Sequence, residues 1–199
     1  MSWAMPRLRI PMTAVMSTDQ GETLLPIARA AIAGELGISF PADEGASWLN
    51  EPGACFVTLF RQERLRGCIG SLQAHRSLLA DLKNNAVSAA FLDPRFSPLS
   101  REEFVGTSIE ISLLGEAKAM EFRSEADALS KLRPGKDGVI FEFSRYRSTF
   151  LPQVWEQLPE PEQFMAHLKR KAGLPEDFWH EQVRLARYSV RKYSESEYA

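Results

Sequence analysis

Hydrophobic positions along this chain switch repeatedly between a helical period and a period of two. Over residues 19–36, Leu24, Leu25, Ile27, Ala28, Ala31 and Ile32 recur at helical spacing. Ser17, Thr18 or Asp19 can cap that helix, and Gly37 lies just past its end. Pro26 falls in the first turns, where proline is better tolerated than deeper in a helix. Residues 41–53 form a loop with Gly45, Pro52, Gly53 and three acids. The period then becomes two. Residues 54–60 alternate as a strand, and 65–72 read as its hairpin partner.

Residues 77–92 return to helix and stop at Asp93-Pro94, because the residue before a proline is pushed out of helical geometry. Ser100-Arg101-Glu102-Glu103 fits the capping box of a short helix. Residues 108–114 alternate as a half-buried strand, and 124–132 form a helix closed by Pro134-Gly135. A strand over 139–143 turns at 145–148 and returns over 149–151. A helix over 161–172 ends at Gly173, and 176–180 adds one turn. The final strand covers 183–193, and its alternation changes phase near Ala186, as a bulge would make it do.

Helices thus alternate with strand pairs joined by short turns. That order predicts an α+β fold with mainly antiparallel pairing, not a doubly wound parallel sheet. Residues 1–16, interrupted by Pro6 and Pro11, read as an N-terminal arm, and 17–194 as a single domain that can divide into two sub-lobes.

The first hairpin carries both cysteines, Cys55 and Cys68. A three-residue loop of Arg61, Gln62 and Glu63 sets Leu59 opposite Leu65, Val57 opposite Gly67 and Cys55 opposite Ile69. Those six are apolar or small and share one face. Thr58 then meets Arg66, and Phe56 meets Cys68, on the other. A register shifted by one sets Cys55 against Cys68 and spoils the sorting, which a sheet with one buried face resists. The preferred register keeps the two thiols on opposite faces and excludes a disulfide.

Candidate chemistry gathers on the second face. Gly67 and Gly70 bracket Cys68, and glycine in a strand marks a bulge, a bend or the close approach of another group. Arg66, Cys68, Thr58 and the backbone at Gly67 and Gly70 make a candidate small-anion site. Cys68 would be the nucleophile if nearby arginine lowered its pKa, with Arg66 as its catalytic partner. Asp93 and Arg95 would complete the site. Each has a plainer reading: Cys68 as a small buried hydrophobe, and Asp93-Pro94-Arg95 as a helix stop with a salt bridge. Cys55, between Ala54 and Phe56, reads as core, and His75 as an exposed residue at a helix entrance.

Composition removes several alternatives. With 44% hydrophobic and 25% charged residues, the chain falls in the globular class. A net charge of -2 argues against a dedicated nucleic-acid binder. Lys169, Arg170, Lys171, Arg184, Arg187, Arg191 and Lys192, with Tyr188 and Tyr193, make the last quarter locally basic, but Glu176, Asp177 and Glu181 dilute it. RNA binding is therefore the weaker alternative. Two cysteines without metal-ligand spacing, and His75, His167 and His180 without a ligand motif, predict no metal. Neither a secretory leader nor a run of ~18 apolar residues is read, so a cytoplasmic protein off the membrane is expected.

The same residues carry a resemblance. Leu65-Arg66-Gly67-Cys68-Ile69-Gly70 is similar to the hallmark hexapeptide of the AMMECR-type domain family, named for the AMME chromosomal region. The blocks 54–59, 85–91 with Asp93-Pro94-Arg95-Phe96, 109–112, 151–154 and 170–175 follow in the family's order, so the likeness spans roughly residues 18–193. Two departures touch turn and packing. Gln62-Glu63-Arg64 stands where the hairpin turn usually has a glycine, and Ser148-Thr149-Phe150 stands where the family is more aliphatic. The resemblance implies an α+β fold of two related β-rich halves sharing one curved, barrel-like sheet. It also implies a protein similar to protein A of the bacterial AmmeMemoRadiSam system, with a radical-SAM protein and a Memo-like, dioxygenase-related protein as partners. It supplies no reaction and no cofactor. A ligand-binding or catalytic domain and a non-catalytic scaffold both remain open, as a monomer or weak dimer.

Overall fold

A computed structural model describes residues 20–197. The arm over 1–16 and the caps Ser17, Thr18 and Asp19 lie outside the described residues. The chain folds into two lobes, each a four-stranded antiparallel sheet with helices on one face.

The first lobe holds α1 (Gln20–Glu35), β1 (Cys55–Arg61), β2 (Arg64–Gly70), α2 (Leu78–Phe91), α3 (Arg101–Val105), β3 (Thr107–Leu114) and β8 (Val190–Ser194). Its strand order is β2-β1-β3-β8. Cys55, Val57 and Leu59 of β1 and Ile109, Ile111 and Leu113 of β3 face inward, as the period of two requires. They pack on Leu24, Ile27, Ala28 and Ile32 of α1 and on Leu82, Ala86 and Ala89 of α2. Full burial of each leucine or isoleucine contributes roughly 1.5–3 kcal/mol.

Both long helices of this lobe end or begin on readable signals. Past α1, Gly37 takes a φ of 66°, the Gly37 N–H reaches the Gly34 carbonyl and the Ile38 N–H reaches Ala33. This Schellman pairing satisfies carbonyls that the helix leaves open. Ser77 caps α2 by accepting the Ala80 N–H.

The second lobe holds β4 (Lys118–Ala119), α4 (Glu125–Lys131), β5 (Gly138–Phe143), β6 (Tyr146–Phe150), α5 (Pro161–Lys171) and β7 (Arg184–Tyr188), with strand order β4-β7-β5-β6. Val139, Phe141 and Leu185 pack on Phe164, Met165 and Leu168 of α5. Trp155 stacks on Phe164 with ring centres 3.7 Å apart, and its indole N–H donates to the Asp137 carbonyl at 2.7 Å. That bond removes the cost of burying the indole N–H unpaired.

The structure departs from the sequence reading in four places. The strand expected over 183–193 is two strands in different sheets, divided at Ser189, where the Gly115 N–H bonds its carbonyl at 2.8 Å. The phase change near Ala186 therefore marks a passage between lobes, not a bulge. Consequently the two sheets stay separate and do not close into one barrel. Residues 176–180 form no helical turn, and the second hairpin turns at Ser144-Arg145 instead of 145–148, with Phe143 opposite Tyr146. Finally, the first hairpin uses two loop residues, not three, and Arg61 pairs with Arg64. Gln62 and Glu63 take φ values of 51° and 60°. That left-handed pair matches the twist of the flanking strands, even without the usual Asn-Gly.

Candidate functional site

The two-residue turn alone would put every later pair out of phase. A bulge corrects it. The register shifts between Leu59 and Phe60, so that Phe60 opposes Leu65 while Leu59 opposes Gly67. Arg66 is the extra residue on β2. Leu65, expected on the packed face, is therefore turned outward and is 41% exposed. Beyond the bulge Val57 faces Ile69 and Thr58 faces Cys68, so Gly67 and Ile69 do share the face of Val57 and Leu59. Cys55 points to the core, Cys68 to the opposite face, and both thiols are free.

Arg66 leaves this face. Its side chain runs under Phe96 and is buried. Nε donates to Glu103 Oε1 at 3.2 Å, and Nη2 donates to Glu103 Oε2 at 3.0 Å and to the Ser97 carbonyl at 2.8 Å. Glu103 is also the capping-box residue of α3. The guanidinium holds its carboxyl down at about 2. Arg66 thus already has its counter-ion and fastens α3 to β2.

Thr58, Cys68, Asp93 and Arg95 are brought together. The Thr58 hydroxyl lies 3.3 Å from Cys68 Sγ. Asp93 Oδ2 accepts the Cys68 N–H at 2.9 Å, and Arg95 Nη2 donates to the Cys68 carbonyl at 3.3 Å. Arg95 and Asp93 pair at 2.7 Å, and Arg95 first, with the Cys68 N–H behind it, holds the Asp93 carboxyl well below the usual carboxylate range. Because β2 is an edge strand, these two side chains do what a neighbouring strand would do. They close the open N–H and C=O of Cys68.

Both glycines are filled by protein. A Cβ at Gly67 would strike the Ala89 carbonyl of α2, and one at Gly70 would strike the Phe56 ring. Ala89 and Gly67 together let helix and strand approach this closely. The close approach expected at these glycines is made by the chain itself.

What the hexapeptide positions is the segment that follows it. Ser71 donates through its N–H to the Cys55 carbonyl at 3.0 Å and through its hydroxyl to Asp81 Oδ1 at 2.7 Å. Asp81 is buried at the start of α2 and also accepts the Cys55 N–H, the Asn85 amide and Arg76 Nε. Burial first, then the Asp81 carboxylate, pushes the Cys55 thiol far up, so Cys55 stays protonated.

Held in this way, Ser71, Leu72, Gln73 and His75 face the second lobe across a cleft of about 440 Å³, whose far wall is Ile140, Arg147, Ser148, Thr149 and Lys171. Next to it, sharing Leu72, Gln73, Ile140 and Arg147, is a second concavity of about 590 Å³ that includes Glu51, Glu116 and Tyr188. The Ser148 hydroxyl bonds the Leu168 carbonyl, and Thr149 pairs with the Tyr188 hydroxyl, so both are engaged. Lys171 donates to the Thr149 carbonyl at 2.9 Å, which uses one of its three protons. Arg147 uses Nε on Glu142 at 2.9 Å.

None of the cleft residues stood among the sequence candidates. His75 read as exposed, Arg147 as a turn residue and Lys171 as part of the locally basic last quarter. One signal was available: the hexapeptide and the 170–175 block each lead directly into a cleft wall. Among the described residues no cluster of three or more His, Cys, Asp or Glu could hold a metal ion, and no helix is long and apolar enough to cross a membrane.

The AMMECR1 family pattern matches residues 25–193. A protein of Methanocaldococcus jannaschii is 34% identical over 188 residues, covering 92% of this chain and 94% of that protein. One from Methanothermobacter thermautotrophicus is 37% identical over 188 residues, covering 92% and 97%. The crystal structure of an uncharacterized protein from Pyrococcus horikoshii superposes with a TM-score of 0.73 at 33% identity, covering 87% of this chain and 90% of that one.

Proposed function

This chain belongs to the AMMECR1 family, and on that footing we propose that it is a small-ligand-binding domain whose ligand sits in the cleft between its two lobes. One observation carries the reading. Gln73 and His75 from one lobe, and Arg147 and Lys171 from the other, bring open hydrogen-bonding capacity into one concavity. Its size falls in the range of small-molecule sites, and sites of this kind favour lobe boundaries. Leu72 and Ile140 add an apolar wall. The test is a thermal-shift screen of small molecules on the wild type and on Leu72→Trp, which fills the cleft. Ligands that stabilise only the wild type support the reading. Ligands that act equally on both proteins sink it.

Two finer roles draw on other support. Thiol chemistry at Cys68 is supported by the neighbouring Arg95 guanidinium and the Thr58 hydroxyl. Docking of a radical-SAM or Memo-like partner in the cytoplasm is supported by the family resemblance and by the exposed apolar side chains Leu65, Leu92 and Val105. Copurification with such a partner, lost in Leu65→Glu, is the expected result; an unaffected complex removes that surface from consideration.

A further inference from the structure

We infer that the ligand carries an oxyanion, a carboxylate or a phosphate, held by His75, Arg147 and Lys171 beside an apolar group on Leu72 and Ile140. This inference rests on the ligand-binding reading above and gives the ligand its chemical class.

The charges of the two adjoining concavities differ in sign. Among the described residues, His75, Arg147 and Lys171 line the first, and no acid does. Glu51 and Glu116 line the second, where Arg147 at the shared boundary is the only base among the described residues. An anion entering the cleft is therefore drawn to one end and repelled from the other. The bases also have capacity to bind. Glu142 pairs with Arg147 at Nε, and the terminal nitrogens, the fork that grips an oxyanion, donate no hydrogen bond among the described residues. Lys171 rests on the Phe150 ring with Nζ 5.0 Å from its centre and spends one proton on Thr149, which fixes the ammonium while leaving donors open. The His75 imidazole and the Gln73 amide likewise have no side-chain partner among the described residues. Leu72 is 41% exposed and Ile140 lies next to it, so an apolar group attached to the anion finds a wall.

Four probes with one ring and different charges test this: phenyl phosphate, benzoate, benzamide and benzamidine. Binding is followed by calorimetry and by ligand-observed NMR on the full chain, its Lys171→Gln and Arg147→Gln variants, and Arg170→Gln. Arg170 neighbours Lys171 but does not line the cleft, so its loss reports unspecific charge effects. At least one anion is expected to bind, with affinity about tenfold weaker in Lys171→Gln and in Arg147→Gln, the scale of one charge-assisted hydrogen bond. Affinity is expected to be unchanged in Arg170→Gln. Whichever anion binds more tightly identifies the group as phosphate or carboxylate. Tighter binding of benzamide or benzamidine, equal losses in Arg170→Gln, or no binding of either anion at millimolar concentration overturns the inference. Benzamide binding that disappears in Leu72→Trp would leave the ligand-binding reading standing while the oxyanion fails.

Discussion

The Ser71 hydroxyl donates to Asp81 Oδ1 at 2.7 Å, and this bond ties the first residue beyond the hexapeptide to the first turn of α2. Asp81 is 1% exposed and takes donors from Cys55, Asn85 and Arg76 as well. Removing this buried acceptor leaves the Cys55 N–H without its partner, while Asn85 keeps its bond to the Cys55 carbonyl. Asp81→Ala is therefore expected to destabilise the fold by about 3 kcal/mol or more. Ser71→Ala removes one bond and is expected to cost about 1 kcal/mol. Urea unfolding measures both. Trypsin gives a second reading, because Arg76 is half-exposed and faster cleavage there in Ser71→Ala reports a loosened cleft loop. Equal cleavage rates would show that the Ser71–Asp81 bond does not hold the loop.

The two cysteines are expected to separate chemically. Cys55 is fully buried, with a thiol kept protonated by burial and by Asp81, while Cys68 is half-buried on the other face. Reactivity follows the exposed thiolate. Iodoacetamide should label Cys68 in the native protein and Cys55 only after unfolding, as peptide mass spectrometry would show. Native labelling of Cys55 at a comparable rate would contradict its placement in the core.

The helices and the strand pairs could be read from periodicity and caps, because each depends on neighbours within one or two turns. Ser100 and Gly37 sit where those signals put them, while Ser77, read as the first residue of its helix, caps it. Register was harder. It depends on a turn with two left-handed residues and on a bulge at Arg66, and neither leaves a mark in the alternation of β1. Among the site candidates, Thr58, Cys68, Asp93 and Arg95 do meet, because Cys68 lies on an edge strand that the end of α2 passes. Arg66 does not join them, since its partner Glu103 comes from a helix 37 residues away. The cleft was invisible for the same reason: its walls, 71–75 and 140–171, come from two sheets that lie far apart in the sequence.

Acid should weaken this protein through two carboxylates. Glu103 is held at about 2 against an ordinary 4.5, chiefly by Arg66, and Asp93 is held below its ordinary range chiefly by Arg95. Both are more acidic folded than unfolded. Their stabilisation is therefore present above the ordinary carboxylate range and is lost as pH falls through it toward 2. Glu103 is partly open to solvent, so its share is on the order of 1 kcal/mol. Glu103→Gln should lower stability at pH 7 and flatten its decline between about 5 and 2. A variant with the wild-type slope would show that the Arg66–Glu103 pair does not couple protonation to folding.

The first hairpin offers a stabilising change. Gln62 and Glu63 occupy the left-handed region, with φ of 51° and 60°. An L side chain there costs roughly 1–2 kcal/mol relative to right-handed backbone, and glycine avoids most of that cost. Glycine's larger loss of chain entropy on folding takes back part of the gain. Glu63→Gly should therefore stabilise by about 0.5–1 kcal/mol, and Tm should rise by about 2–4 °C per kcal/mol in a domain of this size. The β-branched Glu63→Val should move Tm the other way, because its side chain crowds the left-handed backbone most. Gln62→Gly, expected to stabilise as well, separates the observed turn from the three-residue loop that the hydrophobic pattern favoured. In that loop, Arg61 would leave its pairing with Arg64 and the demand for two consecutive left-handed residues would vanish. That loop keeps a left-handed residue at its last position, Glu63, but puts Gln62 in right-handed backbone, so a lower Tm in Gln62→Gly while Glu63→Gly still stabilises would point to the longer loop and with it to a β2 without the bulge at Arg66.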